Sequence, residues 1–304
     1  MNPFEMMRTW LAEDYPGQVE ILLRLSTDEN GRQPLLFDQV PMVLDFFRPN
    51  SLKISKSVVD NIHAGYSYLA AAIFCLDSVL DGHPRGELNR DIAQNEVARG
   101  AVLFFTAALV RVTRAFAIAQ IKDLVVLEEF QECIAENMQA LGSEIEFQRD
   151  PLIPNIFDEY CNITGRANIF ALLFRWVATL SHNECSEPLQ KAVNDFIFYL
   201  QLGDDVGDWR EDYLSGRYTS FLRECFNVLG YIPGMDELEA FIYFEGIYER
   251  RLALIVNGLQ TVLGNVRKMS SEGEKFHDYI SAQIDLSMQG IKDFVECKMS
   301  FQNA

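Results

Sequence analysis

Apolar residues return every three or four positions along almost the whole of this chain, and that periodicity limits the possible folds more than any other feature. Helical segments read at about 51–81, 87–119, 122–148, 152–180, 188–214, 218–228, 235–266 and 274–299, separated by short Gly, Pro and Ser punctuation. Alternating patterns joined by hairpin turns are scarce, so a sheet has no material to form from. The expected class is all-α, and the short connections suit a bundle with antiparallel neighbours. Residues 1–50 are less regular, with turn signals at Asp28-Glu29-Asn30-Gly31 and prolines at 34, 41 and 49, and read as a segment covering the bundle or its mouth. No low-complexity tract, internal repeat or linker-like stretch interrupts the 304 residues, so one domain, 1–304, is expected.

Composition bounds what such a bundle can do. With 49% hydrophobic residues and 22 Phe, the chain can build a sizeable core and a central apolar cavity besides. Its net charge of −18 argues against nucleic acid as a partner, because phosphates would be repelled. An acidic protein with an anionic substrate needs a polyvalent cation between the two. Six Cys, none in a CxxC pair, read as reduced thiols and a cytoplasmic setting. The first eleven residues carry Glu5 and Arg8 and lack a signal-peptide core, and no uncharged apolar stretch reaches about 18 residues, so no transmembrane segment is expected.

The chemistry gathers in two acidic clusters. In 200–212, Asp204, Asp208 and Asp212 recur every four residues, an advance of only about 40° per step on a helix, so they share one face. Arg210 lies off that stripe, and like charges at this spacing ordinarily cost stability. Read alone, such a run is a solvated helix face. Here it follows the apolar Phe196-Ile-Phe-Tyr-Leu200, so the carboxylates end a buried helix, where hard oxygen ligands suit Mg²⁺. Asp77 and Asp81 form a second i, i+4 pair ending the apolar 51–81 segment before Gly82-His83-Pro84. Two such clusters facing each other could hold several Mg²⁺ ions around a diphosphate.

Other metal chemistries fit poorly. A carboxylate-bridged di-iron bundle wants two Glu-x-x-His pairs, and only Glu274-Lys-Phe-His277 has that spacing. The four His are scattered, which leaves zinc sites and hydrolase triads without support. A non-catalytic helical binding subunit would be expected to lose the metal carboxylates, whereas both clusters are present.

On these residues the chain resembles the class I isoprenoid synthase superfamily, which includes trans-prenyltransferases, squalene and phytoene synthases and class I terpene synthases. Gln201-Leu-Gly-Asp204-Asp205-Val-Gly-Asp208 is similar to the Q-x-x-D-D-x-x-D motif of chain-elongating enzymes. Extended through Glu211-Asp212 to Gly216-Arg217, it is similar to the squalene and phytoene synthase pattern, and 204, 208 and 212 match the ligand spacing of terpene synthases. Asp77-Ser-Val-Leu-Asp81-Gly82 resembles the D-x-x-x-D-G of phytoene synthases more than DDxxD, and Arg85-Gly86 is one Arg short of the elongating pattern. Tyr160-Cys161 and Gly165 resemble the Tyr-Cys helix of head-to-head synthases, with larger residues following.

The resemblance implies an isoprenoid synthase bundle that grips a prenyl diphosphate with Mg²⁺, three ions being expected. Asp77, Asp81, Asp204, Asp208 and Asp212 would be the catalytic metal ligands, with Asp205 in support. Arg166 beside a Gly165 kink, Arg217, and less so Arg175 and Lys122, would bind phosphate, with Gln201 contributing. Phe170, Phe174, Phe198 and Tyr199, with Phe104 and Phe105, would line the prenyl cavity, although aromatic residues in such helices commonly just pack the core. The expected reaction order is cyclisation or elimination of one prenyl diphosphate, then head-to-head condensation, then chain elongation. A prenyl diphosphate is the expected small-molecule partner, and a second copy of the chain the only macromolecular one considered.

Overall fold

The computed structural model describes residues 2–27, 36–80, 92–121, 125–149, 152 and 159–302. Asp81, the loop that follows it with His83 and Arg85, Lys122, and the turn signals at 28–31 lie outside the described residues. Among the described residues the chain forms fourteen α-helices and one 3₁₀ turn, Asn50–Lys53, with no β-strand. The helices are α1 Pro3–Asp14, α2 Val19–Leu25, α3 Gln39–Phe46, α4 Lys56–Leu80, α5 Gln94–Ile118, α6 Val125–Arg149, α7 Glu159–Arg166, α8 Ile169–Leu180, α9 Glu187–Gly207, α10 Trp209–Ser215, α11 Ser220–Leu229, α12 Met235–Phe244, α13 Ile247–Met269 and α14 Glu274–Gln302. They gather into two compact units, Met1–Glu129 with Leu173–Glu184, and Phe130–Leu172 with Cys185–Ala304. Because each unit takes in a piece of chain from inside the other, no linker marks a boundary in the sequence.

In the first unit, the described part of residues 1–50 forms three helices, α1, α2 and α3, each with a buried face. Asn2 caps α1 by accepting the Phe4 N–H at 2.8 Å, and Pro3 fits the first helical position because it has no N–H to leave unbonded. Met7, Trp10 and Leu11 of α1, Leu22 and Leu23 of α2, and Val40, Val43 and Phe46 of α3 are buried. Pro41 lies within the first turn of α3, and Pro49 precedes the 3₁₀ turn. A polar clamp fastens α1: Arg111 of α5, 5% exposed, donates through Nε to Asp14 at 2.9 Å and through Nη2 to Glu13 at 2.7 Å, while the Tyr68 hydroxyl donates to Asp14 at 3.1 Å. A buried guanidinium is tolerated because it is paired in this way.

α4 and α5 pack against each other along their lengths. By length and composition both are apolar enough to cross a membrane, a property that the uncharged-stretch criterion missed because each carries isolated charges such as Asp60 and Arg111. In α4, 78% of the apolar window is buried within the fold, as in a core helix.

In the second unit, α9 packs on α13 and α7, and α13 on α14. Phe170, Phe196 and Phe276 form a mutually touching aromatic cluster with ring centroids 5.3–5.8 Å apart. Phe294 is stacked between Tyr243 and Tyr248 at 5.0 and 4.5 Å, which joins α12, α13 and α14. Such contacts each add about 1 kcal/mol to the area they bury.

Candidate functional site

The acidic segment of the second unit is built on the end of α9. That helix stops at Gly207 and α10 starts at Trp209, so Asp208 is a junction rather than a mid-helix residue (φ −99°, ψ 9°). The four-residue register nevertheless survives the break. The Asp208 N–H donates to the Asp204 carbonyl and the Asp212 N–H to the Asp208 carbonyl, each at 2.9 Å. Asp204, Asp208 and Asp212 therefore follow one another turn by turn, as the spacing predicts.

Their environments differ. Asp204 and Asp208 are exposed, and Asp204 accepts from Gln201 Nε2 at 3.1 Å. Asp212 is only 6% exposed. Gly216 closes α10 in the left-handed region (φ 76°), a conformation that a side chain would strain, and this turn sends the chain back so that the Arg217 N–H reaches the Asp212 carbonyl at 2.8 Å. The Arg217 guanidinium then lies 3.2 Å from the Asp212 carboxylate and 3.4 Å from Glu211, with Nε donating to Ser215 Oγ at 3.1 Å. The Gly216-Arg217 dipeptide thus has a physical reason for its distance from Asp212. Burial pushes the Asp212 carboxyl up to about 7; Arg217 opposes that rise, while Asp205 and Asp208 add to it.

Asp205, 3% exposed, has three protein donors: Arg166 Nη2 at 3.0 Å on one oxygen, and the Ser220 N–H and Oγ at 3.2 and 2.8 Å on the other. Arg166 is the last residue of α7, and the helix breaks between it and α8, two residues beyond the expected kink at Gly165. Gly165 serves close packing instead. A Cβ there would lie 2.9 Å from the Ala140 side chain and 3.2 Å from the Glu136 carbonyl of α6. At the break, Asn137 Nδ2 donates to the carbonyls of Gly165 and Arg166 at 3.2 and 3.0 Å, and Asn168 Nδ2 donates to the Cys133 carbonyl at 2.8 Å and Glu136 at 3.0 Å. Asn137, Asn168 and Ser220 were not singled out from the sequence. Ser220 is legible there only as a helix-start residue, and the two Asn carry no local signal.

In the first unit, Asp77 is half-buried in the last turn of α4, one turn before the undescribed Asp81. Arg175 pairs with Glu129 at 3.7 Å. The aromatic candidates are placed mainly as packing. Phe174 meets Phe46 and Phe47 at 5.5 and 6.0 Å, Phe104 meets Tyr68 at 5.9 Å, and Phe170 belongs to the second unit's cluster. Tyr199 lies against α13 at Gly258, and Phe198 meets Tyr160 at 5.1 Å.

The donor set suits a hard divalent cation. Near Asp212 stand the carboxylates of Asp205 and Asp208, and Arg217 pairs with Asp212 and Glu211 while Arg166 pairs with Asp205. Among the described residues no three His, Cys, Asp or Glu side chains converge on a single point, so a cation here would draw one or two carboxylates and complete its shell from water or a ligand's oxygens, the habit of Mg²⁺.

No protein-family model and no curated protein matches the chain by sequence. Solved structures do match. A geranylgeranyl pyrophosphate synthase from Lactobacillus brevis superposes with TM-score 0.70 at 14% identity, over 90% of this chain and 99% of that one. An octaprenyl pyrophosphate synthase from Helicobacter pylori gives 0.69 at 11%, over 91% and 96%. A polyprenyl synthase from Caulobacter crescentus, complexed with calcium and isoprenyl diphosphate, gives 0.57 at 11%, over 92% and 97%. At these identities the likeness establishes the fold, which is the all-α isoprenoid synthase fold.

Proposed function

We propose that this chain, which has the isoprenoid synthase fold, is a Mg²⁺-dependent prenyltransferase that lengthens a prenyl diphosphate by condensation with isopentenyl diphosphate. The observation that carries this reading is the turn-by-turn 204–208–212 carboxylate register, which ends in a buried Asp212 paired with Arg217. Asp204, Asp208 and Asp212, at the α9–α10 junction of the second unit, would draw the Mg²⁺. Bound Mg²⁺ supplies neutralisation of the diphosphate as it leaves. Arg166 and Arg217 add hydrogen-bond donors to the phosphate oxygens, and Gln201 orients the Asp204 carboxylate. In the reaction the allylic C–O bond breaks with its electron pair leaving on diphosphate. The π bond of isopentenyl diphosphate attacks the allylic cation, and loss of a proton gives the longer prenyl diphosphate.

This reading reverses the order drawn from sequence, in which cyclisation came first. The reversal rests on the Gln201…Asp204-Asp205…Asp208 pattern together with the names of the similar structures, a geranylgeranyl and an octaprenyl pyrophosphate synthase. Cyclisation or elimination of a single prenyl diphosphate is kept as a second reading because Asp77-Ser-Val-Leu-Asp81 lacks the paired aspartates of elongating enzymes. A cytoplasmic location belongs to the same proposal, on the ground that the six Cys include no CxxC pair.

The test is incubation with Mg²⁺ and allylic diphosphates of increasing length, with and without isopentenyl diphosphate, followed by product analysis. Longer prenyl diphosphates formed only with the co-substrate are expected. Hydrocarbon or alcohol formed without it would instead establish the cyclase, and absence of turnover with every substrate would favour a binding subunit.

A further inference from the structure

We propose that Asp205 is a positioning residue rather than a cation ligand: held by Ser220 at the start of α11, it aims Arg166 at the phosphate of the substrate. Adjacent aspartates then divide the work, the exposed Asp204 turning to the cation and the buried Asp205 to the guanidinium.

Three observations carry this. First, both Asp205 oxygens are engaged by protein donors, Oδ1 by Arg166 at 3.0 Å and Oδ2 by the Ser220 N–H and Oγ at 3.2 and 2.8 Å, with the side chain only 4% exposed. A cation bound to this carboxylate would have to displace charge-assisted hydrogen bonds. Second, the Ser220 N–H is the first of α11, a ten-residue helix, where the helix's own hydrogen bonding leaves that group without a partner and the helix end favours negative charge. The Asp205 anion is therefore fixed from a third element, independently of any cation. Third, the backbone of Arg166 is fixed as well, because Asn137 Nδ2 ties the carbonyls of residues 165 and 166 to α6. With backbone and side chain both anchored, and 17% of the side chain still exposed, Arg166 presents its guanidinium at little ordering cost.

The inference rests on the reading of the site as a Mg²⁺-diphosphate site, and its test separates the two. Mg²⁺ alone, and inorganic pyrophosphate in the presence of Mg²⁺, are titrated into the full chain by calorimetry for the wild type, Asp205→Asn, Ser220→Ala, Ser220→Thr, Arg166→Gln and Asp208→Asn. Asp205→Asn and Ser220→Ala are expected to leave Mg²⁺ affinity within about twofold while weakening pyrophosphate by about tenfold, roughly the value of a charge-assisted hydrogen bond. Arg166→Gln should weaken pyrophosphate at least as much, and Ser220→Thr should restore it. Asp208→Asn should lose Mg²⁺ itself. Loss of Mg²⁺ binding in Asp205→Asn matching that in Asp208→Asn would make Asp205 a ligand and overturn the proposal. So would unchanged pyrophosphate affinity in both Asp205→Asn and Ser220→Ala, which would leave a purely structural ion pair. Should Asp205→Asn fail to fold, the milder Ser220→Ala and Ser220→Thr pair decides alone. A wild type that binds neither Mg²⁺ nor pyrophosphate would remove the site reading itself.

Discussion

Arg217 sits where a cation would also be drawn, 3.2 Å from a buried Asp212 carboxylate. Arg217→Gln removes that competing positive charge, so Mg²⁺ alone should bind a few-fold tighter while pyrophosphate in the presence of Mg²⁺ binds more weakly; calorimetry of the two ligands checks both signs. A second residue governs acid stability. His63 is buried against Phe37 and Trp10, at ring-centroid distances of 4.0 and 5.4 Å, and its Nε2 donates to the Phe37 carbonyl at 2.9 Å. Burial lowers its pKa to about 4, against the 6.5 of the unfolded chain. The unfolded state therefore binds the proton first, so the contribution is complete above about pH 6.5 and is lost as pH falls through about 4, up to about 3 kcal/mol in total. Urea unfolding at pH 7 and pH 4.5 should show this loss, and His63→Gln, neutral throughout, should shrink the difference between the two pH values.

At the scale of elements, the break between α7 and α8 is held from α6 rather than by its own sequence. Gly165 permits the close approach, Asn137 satisfies the carbonyls of residues 165 and 166 at the break, and Asn168 ties the break to the Cys133 carbonyl of α6. Gly165→Ala puts a methyl 2.9 Å from Ala140 and 3.2 Å from a backbone oxygen, which must push α7 away. A loss of about 1–3 kcal/mol in urea unfolding is expected, accompanied by weaker pyrophosphate binding because Arg166 is the next residue. The α9–α10 junction behaves in the opposite way. There the i→i−4 hydrogen bonds continue through Asp208, so a helix interruption leaves the carboxylate register intact.

For the molecule as a whole, a net charge of −18 repels a diphosphate, so the proposed substrate would be drawn in through intervening cations. With a chelator present, pyrophosphate should produce no thermal shift, and raising the salt concentration should not restore one, because screening weakens repulsion without creating a bridge. With Mg²⁺ and pyrophosphate at about a hundred times the dissociation constant, mass action adds about 2.7 kcal/mol and the melting temperature should rise by several degrees. A melting temperature unmoved by the pair would count against the cation-bridged site.

The all-α class, the acidic register and the identity of its three aspartates follow from sequence alone, because helix periodicity and i, i+4 spacing are local properties that a few consecutive residues impose. What Asp205 does was not legible in the same way, since its donors Arg166 and Ser220 lie 39 and 15 residues away and reach it only once three helices have packed. The ring neighbours of Phe174 and Phe104 were likewise not legible, because they come from distant segments of the chain. The same holds for residues 1–50, where prolines and turns masked short helices whose burial in the first unit only packing could reveal. The sequence thus determined which carboxylates stand one turn apart, and the tertiary structure decided which of them is buried, which is paired with arginine and which is left exposed, because burial and pairing depend on distant chain segments brought together.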